Sequence, residues 1–408
     1  MPPKTMPAPD PAPAHPASQR ILSIDIIRGL ALFGILVVNI TTFRSPNYPA
    51  YRGFEHAVDW LILVLFQGKF LSLYALLFGL GFALFMKDTP DRSTLWRFAW
   101  RSLLLLAIGA LHFIFLWEGD ILMQYALAAF LLLPFARRKS RTALGWGVGL
   151  YAFYALFLLA IVVASASRPQ TPVASEASVD PSSMPAALAQ TGSYMALVQW
   201  RLGSVGAFLG EHIFASLLLV GIFLIGAYAG REGLLADPAA HSGLLKRVLA
   251  WGLPVGLVFS LLSATLVPGQ KSLPVPERAV VIVLAALAPL ILALAYAAGA
   301  ALLASRVRWL KPLAAAGRMS LSNYLLQSLV LTFIFYHYGL KLFDRVSPLV
   351  GFLLAVLIYA LQLLLSNLWF RRFRYGPAEW AWRCLTYGKW IRITQTPVTL
   401  AEIEVVNI

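Results

Sequence analysis

Long apolar runs separated by short, basic loops dominate this chain. The candidate runs are Ile21–Thr42, Gly68–Met86, Trp100–Trp117, Ile121–Phe135, Ala143–Ala164, Phe208–Gly230, Val248–Leu266, Ala279–Ala304, Ser320–Leu340 and Pro348–Phe370. A helix needs about 20 apolar residues to cross a bilayer core. The pattern therefore predicts an all-α polytopic membrane helix bundle with about ten transmembrane helices. The stretch His56–Met86 is too long for one straight span at about 1.5 Å per residue. His56–Phe66 is accordingly placed at the outer interface, with a bend near Gln67-Gly68.

Composition supports this class. The 408 residues are 59% hydrophobic and 12% charged, and the mean hydropathy is +0.74. A soluble domain is about 25% charged, so an ordinary cytosolic enzyme and a disordered chain are both excluded. The formal net charge of +15 is read through its distribution. With the N-terminus inside, Lys and Arg favour the inner segments by about three to one, as the positive-inside rule requires. An even number of spans then puts both termini in the cytoplasm, in a bacterial inner (plasma) membrane. The charge is explained by topology and anionic lipid, so no nucleic-acid partner is expected. Oligomeric state is left open.

Along the chain we expect a mobile cytoplasmic leader at 1–20 and a first helical half at 21–166. An extracytoplasmic loop with an interfacial helix follows at 167–207, the helix over Tyr194–Leu209. A second helical half covers 208–370, and a cytoplasmic amphipathic tail 371–408. In that tail Pro377 suits a first helical turn, and Glu379 and Arg383 are spaced for an i, i+4 pair. The single cysteine, Cys384, excludes an intramolecular disulfide and a Cys-based metal site. No metal is expected, because the histidine spacing offers no zinc motif, and no Walker or dinucleotide fingerprint is present.

Ionisable groups inside spans are costly, about 2.5–3.5 kcal/mol at a helix centre, and are site candidates for that reason. Asp25 and Arg28 share one face of the first helix. They form either an anchoring ion pair or a holder for an anionic group such as a cofactor phosphate. Asn39, about three turns further on, bonds a neighbouring helix or a substrate. Lys69 either snorkels or holds an anion or oxyanion. His112 and Asp120 flank the tight Trp117-Glu118-Gly119 turn, which brings them face to face, with Gln124 a turn beyond. A His oriented by a carboxylate is the minimum for general-base catalysis near neutral pH, although a lone His in a bundle is more often simply hydrogen-bonded in place. Glu211-His212 reads as an ordinary interfacial pair. Asn323 and Gln327 share a face with Tyr324 beside it; they either glue helices or line a ligand channel.

Taken together, Ser23-Ile24-Asp25-Ile26-Ile27-Arg28-Gly29, Gly68-Lys69-Phe70, His112 with Gly119-Asp120, Gly317-Arg318-Met319 with Asn323-Tyr324-Leu325-Leu326-Gln327, and Gly376-Pro377-Ala378-Glu379-Trp380 with Arg383 and Thr386 resemble the YeiB-like family of bacterial inner-membrane proteins. The resemblance runs from about residue 20 to 390. That family looks related to the transmembrane acyltransferase superfamily, whose members use cytoplasmic acyl-CoA to modify a sugar across the membrane. The O-acetylating branch carries an Arg on its first helix and a His eleven residues later. Here Arg28 matches, but the later position is Asn39, and an amide cannot act as a base. The base must come from elsewhere: His112 is the first choice and His56 the second.

The resemblance thus implies an acyltransferase. Acyl-CoA is the co-substrate, its phosphates held near Arg28 and Asp25. His112 and Asp120 form the catalytic pair, with Lys69 or Asn39 for the oxyanion. Asn39, Gln124, Asn323, Tyr324 and Gln327 are the substrate-binding candidates. Membrane lipids are the expected surroundings, and the acceptor is a sugar or a lipid-linked group. A transporter of a small polar or lipidic solute is the alternative, since intramembrane charges suit it equally.

Overall fold

The computed structural model describes residues 21–43, 52–86, 90–166, 186–266, 274–304 and 306–395. The leader 1–20, part of the loop expected at 167–207 and the end of the tail lie outside the described residues. The helices are α1 (Leu22–Thr42), α2 (Phe54–Leu65), α3 (Lys69–Met86), α4 (Arg92–Phe115), α5 (Leu122–Phe130), α6 (Ser140–Ala166), α7 (Ala186–Thr191), α8 (Tyr194–Arg231), α9 (Ser242–Leu266), α10 (Val275–Ala304), α11 (Lys311–Arg318), α12 (Ser320–Phe335), α13 (Pro348–Trp369) and α14 (Pro377–Tyr387). No strand occurs among the described residues; Phe373 and Thr394 form an isolated antiparallel bridge.

This is a polytopic helical bundle. Among the described residues seven helical segments are long and apolar enough to cross a membrane. Bent α8 makes an eighth if it counts as one span. Two of the expected spans are shorter. α5 has nine residues, about 14 Å of helix, and α12 has 16. α12 buries one face and leaves Leu326, Leu329 and Phe333 exposed, whereas α5 is wrapped by its neighbours, burying Leu122, Met123, Tyr125, Ala126, Ala128 and Ala129. A helix enclosed in this way does not need to match the thickness of the bilayer itself.

One helix extends beyond the bounds drawn from sequence. The helix expected over Tyr194–Leu209 runs on into the following segment as α8, with a 54° bend between Ile213 and Ala215. The division at 207/208 therefore falls inside a helix. The two halves are also interleaved rather than stacked. α3 and α6 pack on α8, and α10 packs on α3, α6 and α9. Phe78 of α3 stacks on Phe223 of α8 with centroids 4.7 Å apart, and one apolar core runs from α1 to α13.

The expected break near Gln67-Gly68 is present. α2 ends at Leu65, and Gly68 takes φ +77°, a backbone conformation that side chains disfavour. Breaking a helix inside a bundle frees carbonyls that water cannot reach. Here they are claimed by side chains. Lys69 Nζ donates to Leu63 O at 2.7 Å, Ser260 Oγ to Val64 O at 2.7 Å and Tyr296 Oη to Leu65 O at 3.2 Å.

We call the end of the bundle at which α1 begins proximal, and the opposite end distal. At the proximal end α14 folds back onto α4 and α12. Trp382 Nε1 donates to Arg101 O at 3.1 Å, and the Arg101 guanidinium lies 4.1 Å over the Trp382 ring. The pair expected between Glu379 and Arg383 does not form. Glu379 instead caps the first turn of α12, accepting from Leu321 N at 2.7 Å, Ser322 N at 3.2 Å and Ser322 Oγ at 2.5 Å. The unpaired amides at a helix start attract a carboxylate more strongly than an exposed i, i+4 partner does. Arg383 lies 4.9 Å over the Tyr375 ring.

Candidate functional site

The distal ends of α4, α5 and α12 meet around the turn 117–121. His112 sits in the last turn of α4, and its own carbonyl receives Leu116 N at 2.8 Å and Trp117 N at 2.9 Å. The chain then reverses, and Asp120 caps the start of α5, its Oδ2 accepting from Met123 N at 2.6 Å. The other oxygen, Oδ1, is 2.8 Å from His112 Nδ1, and neither side chain has any exposed surface. The approach lies off hydrogen-bond alignment, and Nε2 has no hydrogen-bond partner either. The imidazole thus lies against the carboxylate on one edge, and its other edge is enclosed and unbonded among the described residues.

Tyr324 of α12 closes this site. Its ring lies 5.2 Å from the imidazole. Its hydroxyl donates to Gly119 O at 3.4 Å and accepts from Ile121 N at 3.3 Å. Tyr324 therefore spans the turn that carries Asp120. Further into the bundle stand Tyr125, whose hydroxyl donates to Leu71 O at 2.9 Å, and Tyr74, whose ring is 6.1 Å from that of Tyr125. Tyr324 is within electrostatic reach of Asp120, Tyr125 and Tyr74. Tyr74 also bonds Ser320 Oγ at 3.0 Å and is within electrostatic reach of Arg28 and Glu379. Three tyrosines thus stand between the two ends, each hydroxyl bonded to its own partner rather than to the next tyrosine.

At the proximal end, Arg28 Nη1 lies 3.4 Å from Asp25 Oδ1. At the same end Arg101 lies over the rings of Phe85 and Trp382 and Arg383 over the ring of Tyr375, so α1, α4 and α14 each bring a guanidinium there. Glu379, at the same end, is half-buried. Burial raises its carboxyl above the ordinary glutamate value, against hydrogen bonds from Ser322 and Leu321 that lower it.

The other sequence candidates fall in different places. Lys69 is buried on α3, and its ammonium is engaged by Leu63 O; it makes no hydrogen bond to His112 or Asp120. Asn323 Nδ2 bonds Ser366 Oγ at 3.0 Å and Ala316 O at 3.3 Å. Gln327 Nε2 bonds Gln362 Oε1 at 2.8 Å. These two amides fasten α12 to α13. Asn39 and Gln124 are half-buried, and their side chains make no hydrogen bond among the described residues. His56 is on the first turn of α2. Two cavities lie elsewhere. One is an open groove of about 660 Å³ beside Trp146 and Phe153. The other is an apolar space of about 80 Å³ between α3, α8, α9 and α10.

Sequence reading missed two residues here. Gly109, one turn before His112, lets the start of α5 lie against α4: a Cβ there would meet Met123 N at 2.6 Å. Arg201 on α8 is fully buried, and its Nε donates to Glu118 Oε2 at 3.0 Å. A charged residue in an otherwise apolar stretch was the available signal, but the assignment of that stretch to the interface concealed it.

A family model described as "Protein of unknown function (DUF418)" matches residues 229–389. The chain is 31% identical over 400 residues to the uncharacterized protein YxaH of Bacillus subtilis, covering 91% of this chain and 96% of that one. It is 32% identical over 409 residues to the uncharacterized protein YeiB of Escherichia coli, covering 90% and 96%. A 39.9 kDa protein from the amylase 3′ region of Bacillus acidopullulyticus is 26% identical over 386 residues. A multi-pass membrane bundle with these near full-length matches belongs to a known class: the chain is a member of the YeiB-like, DUF418-containing family of membrane proteins.

Proposed function

We propose that this chain is a membrane acyltransferase of the bacterial inner membrane, with both termini in the cytoplasm. It moves an acyl group from cytoplasmic acyl-CoA to a hydroxyl on an extracytoplasmic sugar or lipid-linked acceptor. The observation that carries this reading is the buried His112–Asp120 pair, 2.8 Å apart, with Nε2 of the imidazole unbonded. A carboxylate on one nitrogen and a free second nitrogen is the arrangement of a general base.

The proximal end supports the donor assignment. Arg28, Arg101 and Arg383 supply positive charge from three helices, and Asp25 orients Arg28. Arginine is well suited to phosphate oxygens, and the phosphates of CoA would be held there. We assign the route between the two ends to the row of Tyr324, Tyr125 and Tyr74.

In this mechanism His112 Nε2 takes the proton of the acceptor hydroxyl as its oxygen attacks the thioester carbonyl. Asp120 stabilises the resulting imidazolium. The C–S bond breaks, the acyl group stays on the acceptor oxygen, and the CoA sulfur leaves with the proton that His112 returns. Asn39 has an uncommitted amide and is the candidate donor to the oxyanion; Lys69 is engaged at the α2 break.

The test is purified protein in nanodiscs with labelled acetyl-CoA and candidate glycan and lipid-linked acceptors, following release of the CoA thiol and label in the acceptor. Transfer is expected, with a loss of about 10²–10⁴-fold in His112→Ala. An unchanged rate in that variant overturns the assignment of the base. Solute flux into proteoliposomes without donor consumption favours a carrier instead.

A further inference from the structure

α6 turns most of its surface outward, and one stripe of that surface is hollow. Gly145 and Gly149 form its floor: a Cβ added at either position would meet no atom within 4 Å. The opposite face carries Gly147, which packs against Gly221 and Ile225 of α8, so the floor is held outward. Trp146 and Phe153, both more than half exposed, wall a groove of about 660 Å³ that Thr142 and Leu150 complete. From Thr142 to Phe153 the helix rises about 16 Å. That is the depth of one leaflet, since a bilayer core is about 30 Å thick.

At its proximal end the groove opens onto cations. Arg138, Lys139 and Arg141 are exposed, and their side chains make no hydrogen bond or ion pair among the described residues. Arg141, Gly145 and Gly149 follow at i, i+4 spacing, so a cation and the floor share one stripe. Arg137 is already committed, donating to Pro90 O at 3.1 Å. Glu232, which accepts from the Ser140 hydroxyl, offsets one of the charges. The first amides of α6 add the positive end of a helix dipole at the same point.

Length and charge select the occupant. An apolar groove one leaflet deep, with a positive mouth, fits a lipid that carries an acyl chain below an anionic head. A zwitterionic lipid would bring a cation of its own to that mouth. A second copy fits less well: two copies in one membrane point the same way, and a two-fold contact through this groove would set the cations of one against those of the other.

We propose that the groove along α6 holds an acyl chain of an anionic phospholipid from the proximal leaflet, with its phosphate on Arg138, Lys139 and Arg141. This site stands independently of the acyl-transfer reading, which rests on His112.

Trp146 is a reporter inside the groove. Full-length protein is reconstituted in phosphatidylcholine vesicles with increasing fractions of phosphatidylglycerol brominated on one acyl chain, or of phosphatidylcholine brominated at the same place. The fluorescence lost in Trp146→Phe isolates this ring from the other tryptophans. Its quenching is expected to reach half-maximum at a mole fraction about fivefold lower for phosphatidylglycerol. Arg138→Gln, Lys139→Gln and Arg141→Gln together should abolish that preference while leaving quenching by phosphatidylcholine unchanged. Gly149→Leu fills the floor without a clash at its Cβ and should raise the half-quenching fraction of phosphatidylglycerol several-fold. Equal fractions for the two lipids in the parent, a preference that survives the triple replacement, or an unchanged fraction in Gly149→Leu overturns the proposal. So does a Trp146 that neither lipid quenches, the result expected if a second copy covers the groove.

Discussion

Gly109 and Asp120 are packed so closely that a methyl group on Gly109 would stand 3.0 Å from Asp120 Oδ2, as well as 2.6 Å from Met123 N. The bare backbone of α4 at this point is what allows the α5 cap and the imidazole to meet. In a helix interior, Gly→Ala ordinarily stabilises by about 0.5–1 kcal/mol. Here the sign should reverse: Gly109→Ala lowers Tm by several degrees. Gly145→Ala on α6, where no atom lies within 4 Å of the added methyl, should cost nothing. Thermal unfolding in detergent decides, and a Gly109→Ala protein as stable as its parent removes the close-packing argument.

Lys69 separates a structural role from a chemical one. Its ammonium satisfies Leu63 O at the α2 break, where the negative end of a helix is buried. Lys69→Met leaves that carbonyl unbonded, a loss of about 1–3 kcal/mol. Ser260→Ala and Tyr296→Phe remove the neighbouring bonds and should destabilise less, since neither donor is charged. A Lys69→Met protein that keeps its stability but loses acyl transfer would return Lys69 to the reacting centre.

Glu379 predicts a pH dependence. Burial holds its folded value above the ordinary one. Between the two values the folded state binds a proton that the unfolded chain has released, so stability falls as pH rises through that window. Below the ordinary glutamate range both states are protonated and this contribution is fully present. Tm measured across the acidic range should therefore decline with rising pH in the parent and decline less in Glu379→Gln. Identical slopes in the two proteins would mean that Glu379 is ionised freely in the fold.

How much of this was legible in the sequence follows from the separation of the partners. His112 and Asp120 are eight residues apart across one tight turn, and their meeting could be read from the spacing. The break at Gly68 was legible for the same reason: an apolar stretch too long for one span must bend where a glycine permits it. Arg201 and Glu118 are 83 residues apart, and Tyr336 and Glu118 are 218 apart. No local pattern places such pairs together. The Glu379 cap of α12 was missed differently. Its i, i+4 neighbour Arg383 offered a plausible local partner, and tertiary packing offered a better one. Spans set by hydropathy were similarly clear except at α5, where enclosure by other helices relaxes the length that lipid would demand, and at α12, which ends at Phe335 with one face exposed.

The sharpest functional prediction concerns Asp120→Asn. Its two oxygens have separable duties: Oδ2 caps α5 through Met123 N, and Oδ1 faces His112. An amide oxygen can still accept from Met123 N, so the cap survives and Tm should change little. What is lost is the negative charge that stabilises an imidazolium as His112 takes up the acceptor proton. Under the proposed mechanism kcat falls by about 10²–10⁴-fold, while the KM for acyl-CoA, set at the opposite end of the bundle, is unchanged. Tyr324→Phe should act more mildly, because it loosens the turn without removing the charge. The comparison is steady-state kinetics beside thermal unfolding for both variants. If Asp120→Asn unfolds early and its remaining folded fraction turns over at the parental rate, Asp120 is a helix cap alone and the base lies elsewhere.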